Sequence, residues 1–290
     1  MMRGMYSAIS GLRNHQIMLD VTANDLANVN TVGFKASRTS FRDSLAQLQR
    51  SGASATTGNA GAKSAQIGLG VQLGSIDNIM SNGAFQSTGS PYDVAITGNG
   101  WFRVSNTNPV PPVAPATDDT FPATSTLEYT RAGNFTLNDQ GELTTQDGWR
   151  VVGKGVTAGA PNTTDIVIKV PAGATDVSIS PDGAVSYTPS GGGARATAAF
   201  LSLASFPNEA GLDRVSANRW QGTASSGAAV ADTPGVNGLG QTVGGELEMS
   251  NVDLATEFTN MITAQRGFEA SSRVLSTCDE MLQTLVNLKH

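Results

Sequence analysis

Apolar residues recur with alternating spacings of three and four over the first 26 residues of the chain. The series comprises Met2, Met5, Ile9, Leu12, Gln16, Leu19, Ala23 and Leu26, and every member except Gln16 is apolar. Such spacings bring side chains to one face of an α-helix, and their regular alternation is the heptad pattern of a coiled coil. The pattern therefore predicts one long amphipathic helix at the amino-terminal end.

The last thirty residues repeat this pattern. The stripe comprises Met261, Ala264, Phe268, Ser271, Leu275, Cys278, Leu282 and Leu285, and Val274, Met281 and Leu288 widen it. Each predicted helix spans about 40 Å, since an α-helix rises about 1.5 Å per residue. The chain is therefore expected to begin and end with helices of similar length.

The two predicted helices differ in charge. Residues 1–50 contain six basic and three acidic residues, whereas residues 246–290 contain three basic and seven acidic residues. Opposite net charges favour pairing of the helices, although each stripe packing separately on the middle of the chain is an alternative. Small residues beside the stripes would let copies of the pair approach one another. We expect a helix and polymer seam that contains Met5, Ile9, Leu12, Leu19, Leu26, Met261, Phe268, Leu275, Cys278, Leu282 and Leu285.

The first helix runs into a polar stretch, "LDVTANDLANVNTVGFKAS", at residues 19–37. Asn and Asp side chains compete for backbone hydrogen bonds and weaken a continuing helix, and Asn30 or Gly33 can adopt the left-handed conformation that ends one. We expect a corner at which the chain leaves the helix pair, with Phe34 anchoring the outgoing segment. An ordinary helix C-cap is compatible with the same pattern. The corner motif comprises Asn24, Asn28, Asn30, Gly33 and Phe34.

The middle of the chain changes to a period of two. Short alternating segments are separated by turn signals at Asn99-Gly100, Asp139–Gly141, Asp147-Gly148 and Pro181–Gly183. Such spacing predicts antiparallel β-strands. Three segments have the composition of linkers or loops, namely residues 51–66, 105–126 and 221–241.

Together these patterns predict an α+β fold in which paired, coiled-coil-like terminal helices flank an inserted antiparallel all-β domain. The expected divisions are an amino-terminal helical segment, an extended connector, the β domain and a carboxy-terminal helical segment. Their limits are residues 1–40, 41–84, 85–240 and 241–290.

Composition narrows the classes of function. The chain has 290 residues, a net charge of −6 and only 14% charged residues, which argues against nucleic acid as the main partner. A single cysteine, Cys278, excludes an intrachain disulfide. The sequence lacks an apolar run of the length that spans a membrane, so no membrane insertion is expected. The first residues also lack the apolar region of an ordinary secretory signal.

Candidate chemistry is sparse. A nucleophile usually needs a neighbouring base, and the two histidines, His15 and His290, stand near opposite ends of the numbering. We therefore expect no enzyme activity, no cofactor and no metal site. A calcium site at Asp139, Glu142 and Asp147 is an alternative, although turn-forming acids explain the same residues. A carbohydrate-binding or hydrolytic β domain is a second alternative, with Trp101, Trp149 and Trp220 as a sugar platform.

Several segments resemble one protein family. "LDVTANDLANVNTVGFKASRTSF", "GAFQSTGSPYDVAITGNGWFRV", "YTRAGNFTLNDQGELTTQDGWRVVG" and the long segment that starts at "GELEMSNVDLATEF" are similar, in this order, to segments of the bacterial flagellar rod and hook proteins. Residue 25 is Asp where Asn is common in the family, and residue 82 is Asn where Gln is usual. The start "MYSAISGLRNHQ" and the later "EFTNMI" and "AQRGF" are most similar to short hook proteins, and the distal rod protein is a close relative.

The resemblance implies a structural subunit that assembles with copies of itself into a tube. Terminal helices would line the inner wall and the β domain would form the outer surface. A hook subunit, the flexible joint that transmits torque, is the preferred interpretation, and a distal rod subunit is the alternative. Implied partners are neighbouring axial proteins of the rod, hook cap and hook–filament junction, and the flagellar export apparatus. Implied localisation is the extracellular flagellum, reached by type III export without a cleaved signal.

Overall fold

The structure, a computed structural model, describes residues 2–52, 54, 61, 63–107, 126–157, 159–191 and 193–288. The chain divides into two compact units. Unit 1 contains residues 1–27, 36–79 and 252–290, and unit 2 contains residues 28–35 and 80–251. Most of the loop expected at residues 105–126 and part of the linker expected at residues 51–66 lie outside the described residues.

Unit 1 contains the two terminal helices, α1 (Met2–Ala27) and α2 (Leu254–Asn287). Asp253 is the N-cap of α2, where its carboxylate accepts a hydrogen bond from the Ala255 amide at 3.0 Å. In the described part of the chain, neither helix combines the length and apolar character needed to cross a bilayer.

The two helices are antiparallel. Gly11 of α1 lies beside Ser271 of α2, and His15 lies beside Gly267. The numbering rises by four along α1 and falls by four along α2 between these two contacts, which defines the direction of pairing. The α+β class and the terminal helix at each end are thereby confirmed.

The other part of unit 1 is a two-stranded ribbon. Strand β1 (Ser37–Asp43) pairs with β4 (Val71–Asn78), and β2 (Ala46–Arg50) pairs with β3 (Ala65–Gly68). Residues in this region were expected to be an extended connector. Backbone pairing between two extended segments satisfies their amide and carbonyl groups even where few side chains are apolar, so the described part forms a ribbon.

Unit 2 is a β domain whose strand pairs, among the described residues, are antiparallel. A short 3₁₀-helix spans Glu209–Gly211. The strands are β5 (Phe85–Ser87), β6 (Val94–Thr97), β7 (Trp101–Ser105), β8 (Leu127–Thr130), β9 (Thr136–Leu137), β10 (Leu143–Thr144), β11 (Arg150–Thr157), β12 (Ala160–Val167), β13 (Thr175–Ile179), β14 (Ala184–Thr188), β15 (Ala196–Leu201), β16 (Leu203–Ser205), β17 (Asp213–Arg214), β18 (Arg219–Gln221), β19 (Val230–Asp232), β20 (Gln241–Gly244) and β21 (Glu246–Glu248).

The large sheet has the order β13-β14-β15-β11-β7-β8-β18-β17, with shorter strands attached beside β11 and β7. Its main core includes Phe102, Val151 and Leu201, which are fully buried or nearly so. A second, smaller core contains Trp101 and Trp220. Burial of these side chains stabilises the fold, because removing apolar surface from water is favourable.

Most of the predicted turns join paired strands of the β domain. Pro181–Gly183 joins the paired strands β13 and β14, and the segment from residue 136 to 157 forms β9, β10 and β11 as expected. The exception is Asn99-Gly100. Strands β6 and β7 flank it, but β6 pairs with β20 while β7 pairs with β8, β11 and β16. Gly98 and Gly100 adopt φ values of +109° and +132°, which favour glycine, and they lead the chain from one strand pair into another.

Candidate assembly site

The facing sides of α1 and α2 are close-packed because small residues lie at the contacts. Ala264 is fully buried, and Ala8 and Cys278 are nearly so. A Cβ added at Gly11 would lie 3.2 Å from Ser271 Oγ, and one added at Gly267 would lie 2.5 Å from the His15 ring. Large side chains at these glycines would push the helices apart.

The predicted seam residues are distributed as follows. Cys278 is buried, and Leu285 is 49% exposed. The other nine are half-buried: Met5, Ile9, Leu12, Leu19, Leu26, Met261, Phe268, Leu275 and Leu282.

We expect Gly267→Ala to reduce the helical content of the full-length protein, because the new methyl group would overlap the His15 imidazole. His15→Ala opens the space that the methyl group needs, so the double variant should recover most of the lost helix signal. Circular dichroism at rising temperature measures this. Gly4→Ala is the matched control, since nothing lies within 4 Å of a Cβ at Gly4. Equal losses in the single and double variants would contradict the contact.

Away from the contact with α1, the surface of α2 is unusually apolar. Phe258, Ile262 and Val286 expose about half or more of their area, as do several others along the helix. Exposed apolar surface of this extent marks sites of association. The exposed set is Leu254, Phe258, Ile262, Val274, Met281, Leu285, Val286 and Leu288.

Polar residues of α1 hold the ribbon in place. The Asn14 side-chain amide donates to the Val71 carbonyl at 2.8 Å, and the Ser10 hydroxyl accepts from the Val71 amide at 3.2 Å. Further along α1, the buried carboxylate of Asp25 accepts from the Ser37 amide at 2.9 Å. Ser10 is one of the small residues beside the apolar stripe and Asn14 is polar within the predicted helix, and both satisfy backbone groups of β4, as Asp25 does for β1.

The corner segment, residues 28–35, belongs to unit 2. Thr31 closes a turn after α1, its amide donating to the Asn28 carbonyl at 3.1 Å and its hydroxyl to the Asn28 side chain at 3.0 Å. Gly33 has a φ of +67° and donates its amide to the Glu248 carbonyl at 2.8 Å. A Cβ at Gly33 would lie 2.5 Å from the Ala132 nitrogen, so the position requires glycine for both conformation and space.

Phe34 is buried against a cationic side chain. The Arg214 guanidinium lies 4.6 Å from the Phe34 ring centroid and 4.9 Å from that of Trp220. Arg214 also donates a hydrogen bond to the Lys35 carbonyl. Cation–π contacts of this kind strengthen when the cation is shielded from water. The aromatic anchor predicted at the corner therefore lies on unit 2 of its own chain.

The centre of the corner is a buried group of three charges. Lys35 Nζ lies 2.7 Å from Glu248 Oε1, and Arg131 Nη1 lies 3.2 Å from Glu248 Oε2. All three side chains are almost completely buried. Burial lowers the pKa of Lys35, and the Glu248 carboxylate opposes this shift while Arg131 adds to it. Desolvation by burial also lowers the pKa of Arg131.

Glu248 thereby joins segments that are distant in sequence. It also accepts the Gly83 amide at 3.0 Å, and Lys35 donates to the Ser81 carbonyl at 2.9 Å. Sequence reasoning missed this group. The available signals were a lysine directly after the buried Gly-Phe pair and a glutamate inside a short strand.

The remaining candidates have structural partners or are exposed. Asn24 and Asn30 are exposed. Trp101 and Trp220 are buried and contact each other at 5.6 Å between ring centroids, and the Arg219 guanidinium lies 4.1 Å from the Trp149 ring. The three tryptophans therefore do not form an exposed platform.

Two of the three candidate calcium residues have structural partners, and the third, Asp139, is exposed. Glu142 is buried and accepts hydrogen bonds from Arg150 Nε at 2.9 Å and from Asn138 Nδ2 at 2.7 Å. Asp147 Oδ2 lies 3.2 Å from Arg219 Nη1. These partners explain why acidic side chains are present at the two turns.

Three family profiles match the chain. Residues 5–35 match "Flagella basal body rod protein", residues 121–187 match "Flagellar hook protein FlgE/F/G D1 domain", and residues 243–288 match "Flagellar basal body rod FlgEFG protein C-terminal". The match at residues 5–35 contains the corner, and the match at residues 243–288 contains α2.

Full-length similarity extends to named relatives. The chain is 43% identical to the flagellar basal-body rod protein FlgG of Bacillus subtilis over 290 residues, covering 100% of both chains. It is 38% identical to FlgG of Caulobacter vibrioides, covering 99% of this chain and 100% of that protein. Identity to the flagellar hook protein FlgE of Borreliella burgdorferi is 27% over a 442-residue alignment that covers 100% of both chains.

Proposed function

The chain belongs to the family of bacterial flagellar rod and hook proteins, and we propose that within this family it is the structural subunit of the distal rod. The observation that carries the proposal is the 43% identity to a rod protein over the entire length of both chains. The resemblance of the ends to short hook proteins favoured the hook, but the relatives support the distal rod better. The similar hook protein needs an alignment of 442 residues and shares fewer identities.

The exposed surfaces of unit 1 are consistent with a subunit that assembles with copies of itself. A stripe of apolar side chains on α2 is exposed among the described residues, and so are Leu45, Leu48 and Ile67 of the ribbon. Packing of such stripes between subunits stabilises helical polymers through apolar burial. The pair of strands β2 and β3 supplies a second surface, one that can bridge neighbouring subunits and stiffen a tube.

Further partners follow from a place in the rod. We propose contacts with the rod proteins that precede the subunit and with the hook that follows, and passage through the flagellar export apparatus without cleavage of a signal. A structural role needs no catalytic centre. The buried charges at the corner are consistent with this role, because they contact each other and the backbone.

The location of the protein in intact flagella tests the proposal. Antibodies against unit 2 should label the straight rod in purified hook–basal bodies after the surrounding rings are removed, and the curved hook should remain unlabelled. Immunogold electron microscopy measures this, with basal bodies from cells that lack the gene as the control. Label along the hook would replace the distal-rod assignment with the hook assignment.

A further inference from the structure

In the part of the chain that the structure describes, one end of α2 extends past the first residue of α1. Met2, the first residue of α1, precedes Gly11 by nine residues, and Glu280 follows Ser271 by nine, so these residues lie level. Helix α2 continues to Asn287. About 10 Å of helix, at about 1.5 Å per residue, therefore extends past the start of α1.

This overhang, residues 281–288, is rich in uncovered apolar side chains. Leu285, Val286 and Leu288 expose 49%, 64% and 77% of their area. A helix end of this kind gains stability from burial against another surface. Among the described residues, none of α1 lies level with the overhang, and these side chains are exposed in the single chain.

Unit 1 contains a partly apolar cavity near the other end of the same helix pair. It has a volume of about 300 Å³ and lies between α1, α2 and the start of β1. Met18, Val21 and Ile79 supply apolar lining, and Ile79 is 40% exposed. The α2 residues at this cavity belong to its first two turns, far from the overhang.

Charge at the cavity complements the end of a helix. The last carbonyl groups of an α-helix carry partial negative charge and are stabilised by a cation, yet the last turn of α2 has no basic side chain. Arg38 is exposed and lines the cavity. Glu257 of α2 lines the same cavity.

We propose that the overhang of one copy docks into this cavity of a second copy, with the apolar side chains against Met18, Val21 and Ile79 and the helix end towards Arg38. The contact joins different surfaces of the two molecules, so it repeats from copy to copy and builds an open polymer. The proposal rests on the proposed function as a rod subunit and specifies which surfaces meet.

Cysteine cross-linking tests the contact, and Cys278→Ala provides a background free of other cysteines. One variant carries Leu285→Cys and the other carries Ile79→Cys. The two are mixed, assembled and oxidised, and dimers are measured on a non-reducing gel. A disulfide requires Cα atoms within about 7 Å, so docking predicts mixed dimers. Val274→Cys, 46% exposed on α2 and about 20 Å along the helix from the cavity, replaces Ile79→Cys in the matched control and should give far fewer dimers.

Three other outcomes would contradict the docking contact, and each leads to a different conclusion. Dimers formed by Leu285→Cys alone would show that two overhangs meet. A polymer without mixed dimers would remove the docking contact while leaving the proposed function intact. If the Cys278→Ala parent and the natural chain both fail to polymerise, the proposed function fails together with the contact.

Discussion

Glu248→Gln is expected to lower the free energy of unfolding of unit 2 by about 3 to 5 kcal/mol, the usual cost of breaking a buried ion pair. The glutamine has nearly the same shape but no charge. Lys35 and Arg131, each with 1% side-chain exposure, would then be buried without the carboxylate that balances them. Few single changes in the molecule affect two buried cations at once.

Urea unfolding of the full-length protein, followed by tryptophan fluorescence, measures the loss. Trp101 is a suitable reporter because the Arg131 guanidinium lies 5.3 Å from its ring centroid. Glu246→Gln is the matched control, since Glu246 lies two residues earlier on β21 and is only half-buried. Its effect should stay within about 0.5 kcal/mol. Equal effects of the two substitutions would contradict a stabilising role for the buried charges.

A second substitution separates the two cations. Lys35→Met leaves Glu248 paired with Arg131 and should destabilise unit 2 less than Glu248→Gln does. In the Lys35→Met background, the further change Glu248→Gln removes the carboxylate from one buried cation rather than from two. Its effect should therefore be smaller by about 0.5 to 3 kcal/mol, the range of coupling between contacting residues. Strict additivity would indicate that Lys35 and Glu248 act independently.

The terminal helices could be predicted because their signal is local. Seven apolar residues at heptad spacing define a helix and its buried face without information from the rest of the chain. Cys278 and Leu285 show that the spacing alone does not predict which residues of the stripe are buried. Both occupy the same stripe, but Cys278 lies level with Gly4 of α1 and is buried, whereas Leu285 lies past the level of Met2 and is 49% exposed. Relative helix length and direction, rather than periodicity, determine that difference.

The corner could be located but its contacts could not be predicted. Asn28 and Gly33 give a turn signal from local backbone preferences, and Gly33 adopts the left-handed conformation. The partner of Lys35 stands 213 positions further along the chain. Pairing at that separation depends on how β21 and the corner segment meet, which a single sequence does not encode locally. The false hairpin at Asn99-Gly100 has the same origin, since distant β20 pairs with β6.

The choice between hook and rod shows the same division between local and global signals. Short motifs such as "MYSAISGLRNHQ" describe helix packing, which rod and hook proteins share. Similarity along the whole chain adds the length and arrangement of the middle strands, and it supports the rod. Local motifs therefore identified the family, while the choice within it needed the complete chain.

Cys278→Asp is expected to abolish polymer formation, whereas Cys278→Ala should leave it nearly normal. Cys278 is buried on α2, between Leu275 and Leu282 and at the level of Gly4 on α1. An aspartate there must either lose its hydration without a partner or take up a proton, and both are costly. Alanine removes one small group and adds no charge, for a cost of about 1 kcal/mol.

The burial of Cys278 within a single chain extends this prediction to the isolated subunit. The aspartate variant should lose helical signal in circular dichroism before any assembly, while tryptophan fluorescence from unit 2 stays unchanged, because the three tryptophans lie in the other unit. Motility of cells that carry each variant measures the effect on the polymer, and Asp279→Ala, at an exposed neighbouring position, is the control. An aspartate variant that keeps its helix signal and supports swimming would mean that residue 278 faces water, and that the register of α2 against α1 differs from the one described.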